Sequence, residues 1–336
     1  MHLDLKVVLP ERGLGLCGGV ERGFKVLFEA FRYAQTTNGV VTYRYSPPAT
    51  RPFIQQLTAA GYPLVSWEEG IKCGPKVAYI SPYGAPVDSH EGLKIFDGTC
   101  PRVQSIYDQA KKFTEQDRNV IIIGMRDEFE PMTILDHCAG KGTIVQSVAD
   151  LEAIATTKLK RFGVVEQSSF RPDSAIILNN SISCWAREND VDLIWKDTLC
   201  PEYSHRLNTA FELARTCDYV LIIGSADSSF GNYAAATLTL VRNRSDAWRF
   251  RKCIRIENAD EIGAELFMGD HLQIGLVSTI STPMEMVASI KQKIESLTTD
   301  DNAKSSHPTY PCLACPDKVQ GECNRIFPDC QKCSCH

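Results

Sequence analysis

The chain has 336 residues, 43% of them hydrophobic and 23% charged, with a net charge of −5. That length accommodates two or three domains, and the acidic balance with no basic block argues against nucleic acid as a partner. No apolar run approaches the ~18 residues of a membrane span, and the opening MHLDLKVVLPERG lacks a signal-peptide h-region. The expectation is a soluble, cytoplasmic protein with no nucleic-acid or membrane partner.

In chain order, an apolar strand candidate at Leu5–Leu9 precedes a helical stretch at Glu21–Tyr33. Strands at Val40–Tyr45 and Val77–Ser81 follow, then a helix at Arg102–Gln116 and strands at Asn119–Ile123 and Phe162–Val165. The last third offers helices at Tyr203–Ala214, Tyr233–Val241 and Pro283–Glu295, with strands at Tyr219–Ile223 and Gln273–Val277. Short continuous apolar runs are the pattern of parallel strands buried on both faces. Their alternation with helices predicts α/β lobes.

The stretch DGTCP ending at Pro101 is echoed by DTLCP ending at Pro201. Cys100 lies 24 residues before Gly124, which closes NVIIIG, and Cys200 lies 24 before Gly224, which closes YVLIIG. Counting 24 on from Cys17 reaches Val41, inside a third strand. The runs YISPYG, VVEQSS and LVSTIST end the last strand of each segment in similar corners. The spacing predicts three related lobes over residues 1–96, 97–196 and 197–296, each with one cysteine beyond the carboxyl ends of its strands, where ligands gather.

Proline at the first helical position places Cys100 and Cys200 at helix N-caps, and Gly18–Gly19 plays a similar part after Cys17. Helix N-termini offer unpaired N–H groups and positive potential, which favour thiolate. Three soft thiolates at equivalent positions suit zinc or an iron–sulfur cluster. A [4Fe–4S] cluster usually takes four cysteines, so three leave one iron open for chemistry.

GLCGGVERGF, FDGTCP and KDTLCPEYSHR resemble the cluster motifs of the 4-hydroxy-3-methylbut-2-enyl diphosphate reductase (IspH/LytB) family. The likeness spans about residues 5–295 and includes IIGMRDEFE, VVEQSSF, LIIGSADSSFGN and GLVSTISTP. It implies three α/β lobes around a [4Fe–4S] cluster held by Cys17, Cys100 and Cys200. It also implies two-electron reductive removal of an allylic hydroxyl, with electrons from a ferredoxin- or flavodoxin-type donor. Glu130 takes the position of the acid, with Ser168 as relay and Ser169 beside it. Ser228, Ser229 and Ser281 match substrate-binding hydroxyls.

The family's three diphosphate-binding histidines are replaced by Thr50, Tyr83 and Glu128, its Asn after the first by Arg51, and an amide by Phe230. Diphosphate recognition rests on charge-assisted donors, and a carboxylate among them is repulsive at close range. Arg51 offers a bidentate fork for a carboxylate instead. The expectation is reductive dehydroxylation of a small non-isoprenoid substrate at the open iron. Two alternatives stand beside it: the family's own reaction with a rebuilt diphosphate site, and a redox- or metal-sensing protein.

Residues 297–311 read as a polar linker. The remainder, 312–336, holds six of the 14 cysteines in the spacing C-x2-C-x7-C-x6-C-x2-C-x-C-H. It is too short for an apolar core, so a metal would have to organise it. Cys312, Cys315, Cys323 and Cys330, with Cys333 as substitute, are the candidate ligands of a second [4Fe–4S] cluster or of zinc. The sequence leaves monomer and homodimer both open.

Overall fold

The continuous apolar runs form the inner strands of parallel sheets, and polar or alternating segments form their edges. The computed structural model describes residues 4–43, 51–73, 77–85, 93–225, 228–242 and 250–298. In chain order its elements are β1 (Leu5–Val8), α1 (Gly18–Thr36), β2 (Val41–Tyr43), α2 (Arg51–Ala59), β3 (Leu64–Ser66), α3 (Trp67–Cys73), β4 (Val77–Ile80) and β5 (Lys94–Asp97). Then come α4 (Pro101–Glu115), β6 (Asn119–Ile123), α5 (Phe129–Asp136), β7 (Gly142–Val145), α6 (Leu151–Ala155), β8 (Arg161–Glu166), α7 (Pro172–Glu188) and β9 (Asp192–Trp195). The last are α8 (Pro201–Thr216), β10 (Tyr219–Ile223), α9 (Ser229–Arg242), β11 (Lys252–Ile256), β12 (Leu272–Ser278) and α10 (Met284–Ser296).

Three four-stranded sheets repeat one topology: β5-β4-β2-β3, β9-β8-β6-β7 and β1-β12-β10-β11. Among the described residues every strand pairing is parallel. In each sheet one edge strand (β5, β9 or β1) runs directly toward a cysteine. The N-terminal strand β1 pairs with β12, Leu5 opposite Leu272, so the sheet of the last segment is completed by the start of the chain. Chain-order division into lobes does not anticipate that exchange.

The described residues form two compact units, one drawn from within Met1–Gly18, Ala49–Pro63 and Glu202–His336, the other from within Gly19–Pro48 and Leu64–Pro201. The second unit shows how sequence becomes core. Along β6, Val120 and Ile122 face α4, which presents Val103, Ile106, Tyr107, Ala110 and Phe113 at helical spacing. Ile121 and Ile123 face the other way, onto Leu178 and Ile182 of α7. Burial of each isoleucine contributes about 1.5–3 kcal/mol. In the first unit Leu221, Ile223, Ile274 and Leu276 pack against Val287, Ile290 and Ile294 of α10.

Three helices end in the same way. The chain leaves α1, α4 and α7 through Asn38, Asp117 and Asp190, each at a positive φ of 50°, 55° or 54°. In each case the next residue donates back to a carbonyl five positions earlier: Gly39 to Ala34, Arg118 to Phe113 and Val191 to Ala186. Asn and Asp are the non-glycine residues that reach this conformation most readily. Among the described residues no helix is long and apolar enough to cross a membrane.

Candidate active site

Each of the three cysteines sits immediately before a helix: Cys17 before α1, Cys100 before α4 and Cys200 before α8. Each is half-buried. Each backbone N–H is held by a carbonyl of the neighbouring strand's exit. Cys17 donates to Ile280 (3.0 Å), Cys100 to Pro82 (2.9 Å) and Cys200 to Ser168 (2.8 Å). Those acceptors lie two residues beyond the ends of β12, β4 and β8 respectively. One corner is therefore built three times, down to a single backbone hydrogen bond.

Cys100 occupies the N-cap of α4 with Pro101 behind it, and its side chain makes no capping hydrogen bond. Its thiol is thus left unused by the helix that it begins. Gly98 is required two residues earlier, because a Cβ there would meet the Ile80 carbonyl at 2.8 Å and the Tyr79 ring. The donor chemistry of the three corners fits a soft metal or an iron–sulfur cluster. Cys17 belongs to the first unit, Cys100 and Cys200 to the second. Among the described residues no group of three or more His, Cys, Asp or Glu side chains is gathered as a metal site.

The Cys200 corner carries an acid. Ser168, whose carbonyl holds the Cys200 N–H, donates its own backbone N–H to Glu130 Oε1 (2.6 Å) and its hydroxyl to Glu130 Oε2 (2.8 Å). Glu130 stands in the first turn of α5 and is 5% exposed. Burial pushes its carboxyl up to about 7, against the lowering pull of the two Ser168 bonds and with a further push from Glu128. Tyr107 lies near this carboxyl, its phenol held neutral by burial, and donates to the Tyr83 carbonyl (3.2 Å). Tyr83 itself is half-buried in the turn after β4.

Glu128 precedes α5 as its N-cap residue and is half-buried. Its carboxylate accepts from Gln167 Nε2, which also donates to Ser169 Oγ (3.1 Å). Gln167 Oε1 in turn accepts from the Met125 backbone (2.9 Å). Burial raises the Glu128 carboxyl, offset in part by the Gln167 bond. Sequence reading passed over Gln167, although it lies within VVEQSS. Spacing does not reveal that its amide bridges the two strand exits, β6 and β8.

The first unit holds the remaining described site candidates. Ser228 accepts from the Gly231 N–H (3.2 Å), so its hydroxyl caps α9, and Ser229 opens that helix on the exposed side. Ser281 lies in the turn after β12, 3.5 Å from the Thr279 hydroxyl. Thr50, Cys312, Cys315, Cys323, Cys330 and Cys333 lie outside the described residues, as does the side chain of Arg51, which opens α2.

Residues 8–295 match the family described as LytB protein. The 4-hydroxy-3-methylbut-2-enyl diphosphate reductase of Aquifex aeolicus is 28% identical over 301 residues, covering 87% of this chain and 96% of that protein. The enzyme of the same name from Geobacter sulfurreducens is 26% identical over 306 residues, covering 89% and 99%. The solved E-1-hydroxy-2-methyl-but-2-enyl-4-diphosphate reductase of Plasmodium falciparum superposes with a TM-score of 0.72 at 16% identity, over 92% of this chain and 95% of that one. A solved (E)-4-hydroxy-3-methyl-but-2-enyl diphosphate reductase gives 0.59 at 23% identity, over 86% and 99%. At those identities the two structures speak to the fold.

Proposed function

The chain belongs to the LytB protein family, and from that premise we propose that it is an oxidoreductase that removes an allylic hydroxyl by two-electron reduction. The substrate proposed first is 4-hydroxy-3-methylbut-2-enyl diphosphate, the compound in the names of its relatives. The observation that carries the reading is the double role of Ser168, which binds Glu130 through N–H and hydroxyl and Cys200 through its carbonyl. An acid is thereby fixed to one of the three cysteine corners.

Cys17, Cys100 and Cys200 would hold a [4Fe–4S] cluster, which when bound supplies electrons singly and one iron without a protein ligand. The chain's own residues handle protons. With its carboxyl at about 7, Glu130 is part protonated at neutral pH, the state that general acid catalysis requires. Once its proton is given up, the Ser168 N–H and hydroxyl remain as donors to the new carboxylate. Burial of Glu130 excludes water from that exchange. A ferredoxin- or flavodoxin-type protein is proposed as electron donor. The cysteines of 312–336 are proposed to bind a second [4Fe–4S] cluster that relays electrons, with zinc the competing occupant.

One observation favours a second reading, in which the substrate carries no diphosphate. Ionised Glu128 would repel a polyanion, whereas a histidine there would attract one. Burial tempers that objection, because a protonated Glu128 donates a hydrogen bond where an ionised one cannot. Anaerobic turnover of 4-hydroxy-3-methylbut-2-enyl diphosphate with a small chemical reductant separates the readings. Conversion supports the first. No conversion by iron-loaded protein supports the second.

A further inference from the structure

The first unit contains a fully buried arginine that the proton and electron chemistry does not use. Arg206, in α8, is 1% exposed. Its Nη1 lies within hydrogen-bonding distance of four oxygens: Gly15 O (2.9 Å), Ser278 O (3.0 Å), Ser278 Oγ (3.0 Å) and Thr279 O (2.9 Å). Its Nε donates to Glu202 Oε1 one turn earlier (2.9 Å). A guanidinium taken out of water is costly unless its donors are met, and here most of the partners are backbone carbonyls.

Those carbonyls come from the two segments that make the Cys17 corner. Gly15 stands two residues before Cys17. Ser278 and Thr279 directly precede Ile280, whose carbonyl accepts the Cys17 N–H. The segments also meet through the Ser278 N–H and the Gly13 carbonyl (3.1 Å). Gly15 adopts a positive φ of 74°, and a Cβ on it would meet Met284 at 2.7 Å, so this loop has little freedom to shift. Arg206 stands between the segments and binds both.

The other corners have charged struts at the same place, just before the cysteine. At Cys100, Arg22 Nη1 donates to the Thr99 carbonyl (2.9 Å). At Cys200, Glu166 Oε2 accepts from the Thr198 N–H (3.4 Å), while Thr198 Oγ1 donates to the Glu166 carbonyl (2.6 Å). Three different side chains thus tie down three equivalent loops.

We propose that Arg206 is the positioning residue for Cys17, locking the loop that presents this thiol by bridging Gly15 to Ser278–Thr279. The role rests on the reading of Cys17 as a cluster ligand only for its purpose; the bridge itself is independent of any cluster. A lysine cannot replace the bridge, because its ammonium ends one bond short of the Nη1 position around which the cage oxygens gather, and its single nitrogen cannot also serve Glu202 as Nε does.

The test is the alkylation rate of each cysteine in the full chain, kept reduced and iron-free, with iodoacetamide and peptide mass spectrometry. In Arg206→Lys, Cys17 reacts about tenfold faster or more, the loss expected when a charge-assisted bond no longer opposes local opening. Cys100 and Cys200 keep their wild-type rates. An unchanged Cys17 rate overturns the proposal, and so does equal acceleration at all three, which marks general loosening. Arg206→Met removes the cage partner altogether and should exceed the lysine variant at Cys17; should it fail to fold, the lysine variant decides alone. On anaerobically loaded protein, Arg206→Lys should release iron to a chelator faster than wild type. A wild-type chain that takes up no iron defeats the cluster reading, while the alkylation rates still judge Arg206.

Discussion

Replacing Glu130 by Gln keeps the side chain's shape and removes its charge. Glu130 is 5% exposed, and burial lifts its carboxyl from an ordinary 4.5 to about 7. A group whose pKa is raised by folding contributes most below its unfolded value, and that contribution is lost as pH rises through the folded value. Gln does not titrate, so wild type and variant diverge between those two pH values. Ionised Glu130 then costs the wild type on the order of 3 kcal/mol relative to the variant, at roughly 1.4 kcal/mol per unit of pKa. Urea unfolding of the reduced, metal-free full chain at a series of pH values from 5 to 8 measures it. The constant effect of exchanging an oxygen for an amide group cancels in the comparison between pH values. We expect the stability difference to move in favour of Glu130→Gln as pH rises, mostly below about 7, and then to level off. A difference that stays flat would show that the carboxyl does not titrate in the raised range, and would refute the buried-acid argument. In turnover the same variant should lose about 10²–10⁴-fold, the usual share of general acid catalysis.

Other outcomes follow from the same geometry. Gly15→Ala should lower stability by about 1–3 kcal/mol, from a left-handed backbone and overlap with Met284, seen as a lower urea midpoint at an unchanged slope. Gln167→Leu leaves Glu128 without its amide donor; its carboxyl should titrate higher, and any activity loss that stems from an ionised Glu128 should shift to higher pH. Deleting residues 300–336 should abolish turnover with a protein electron donor and spare turnover with a small chemical reductant. Equal loss with both donors would remove the relay role from the tail.

Legibility in the sequence followed burial. β2, β4, β6, β8, β10 and β12 are the inner strands of their sheets, covered on both sides, and all six stand out as apolar runs. Of the edge strands, β1 stands out as the apolar run Leu5–Leu9, β5 and β9 show only as largely apolar runs ahead of Cys100 and Cys200, and β3, β7 and β11 give no strand signal. Edge strands mix burial states: β9, DLIW, alternates exposed and half-buried, and β5, KIFD, has three exposed residues. Helix α7 escaped because Asn179, Asn180, Ser181 and Ser183 dilute its apolar stripe, although Ala175, Leu178, Ile182 and Ala186 lie buried at helical spacing. The cysteine corners were legible because proline or glycine fixes the turn after each thiol. Glu130 and Ser168 emerged only through likeness to a family; their hydrogen bonds join residues 38 positions apart. Arg206 and Gln167 gave no signal, since a buried charge or amide is chosen by the carbonyls around it, which one-dimensional spacing does not display.

The central claim is that three equivalent corners hold one cluster, and iron content tests it most directly. The chain without residues 300–336, which excludes the tail, and its Cys17→Ser, Cys100→Ser and Cys200→Ser variants would be reconstituted anaerobically with iron and sulfide. The account predicts about four irons per wild-type chain with broad visible absorption, and loss of both in each variant. Wild-type protein that binds zinc and no iron, or variants that retain the full cluster, would contradict it.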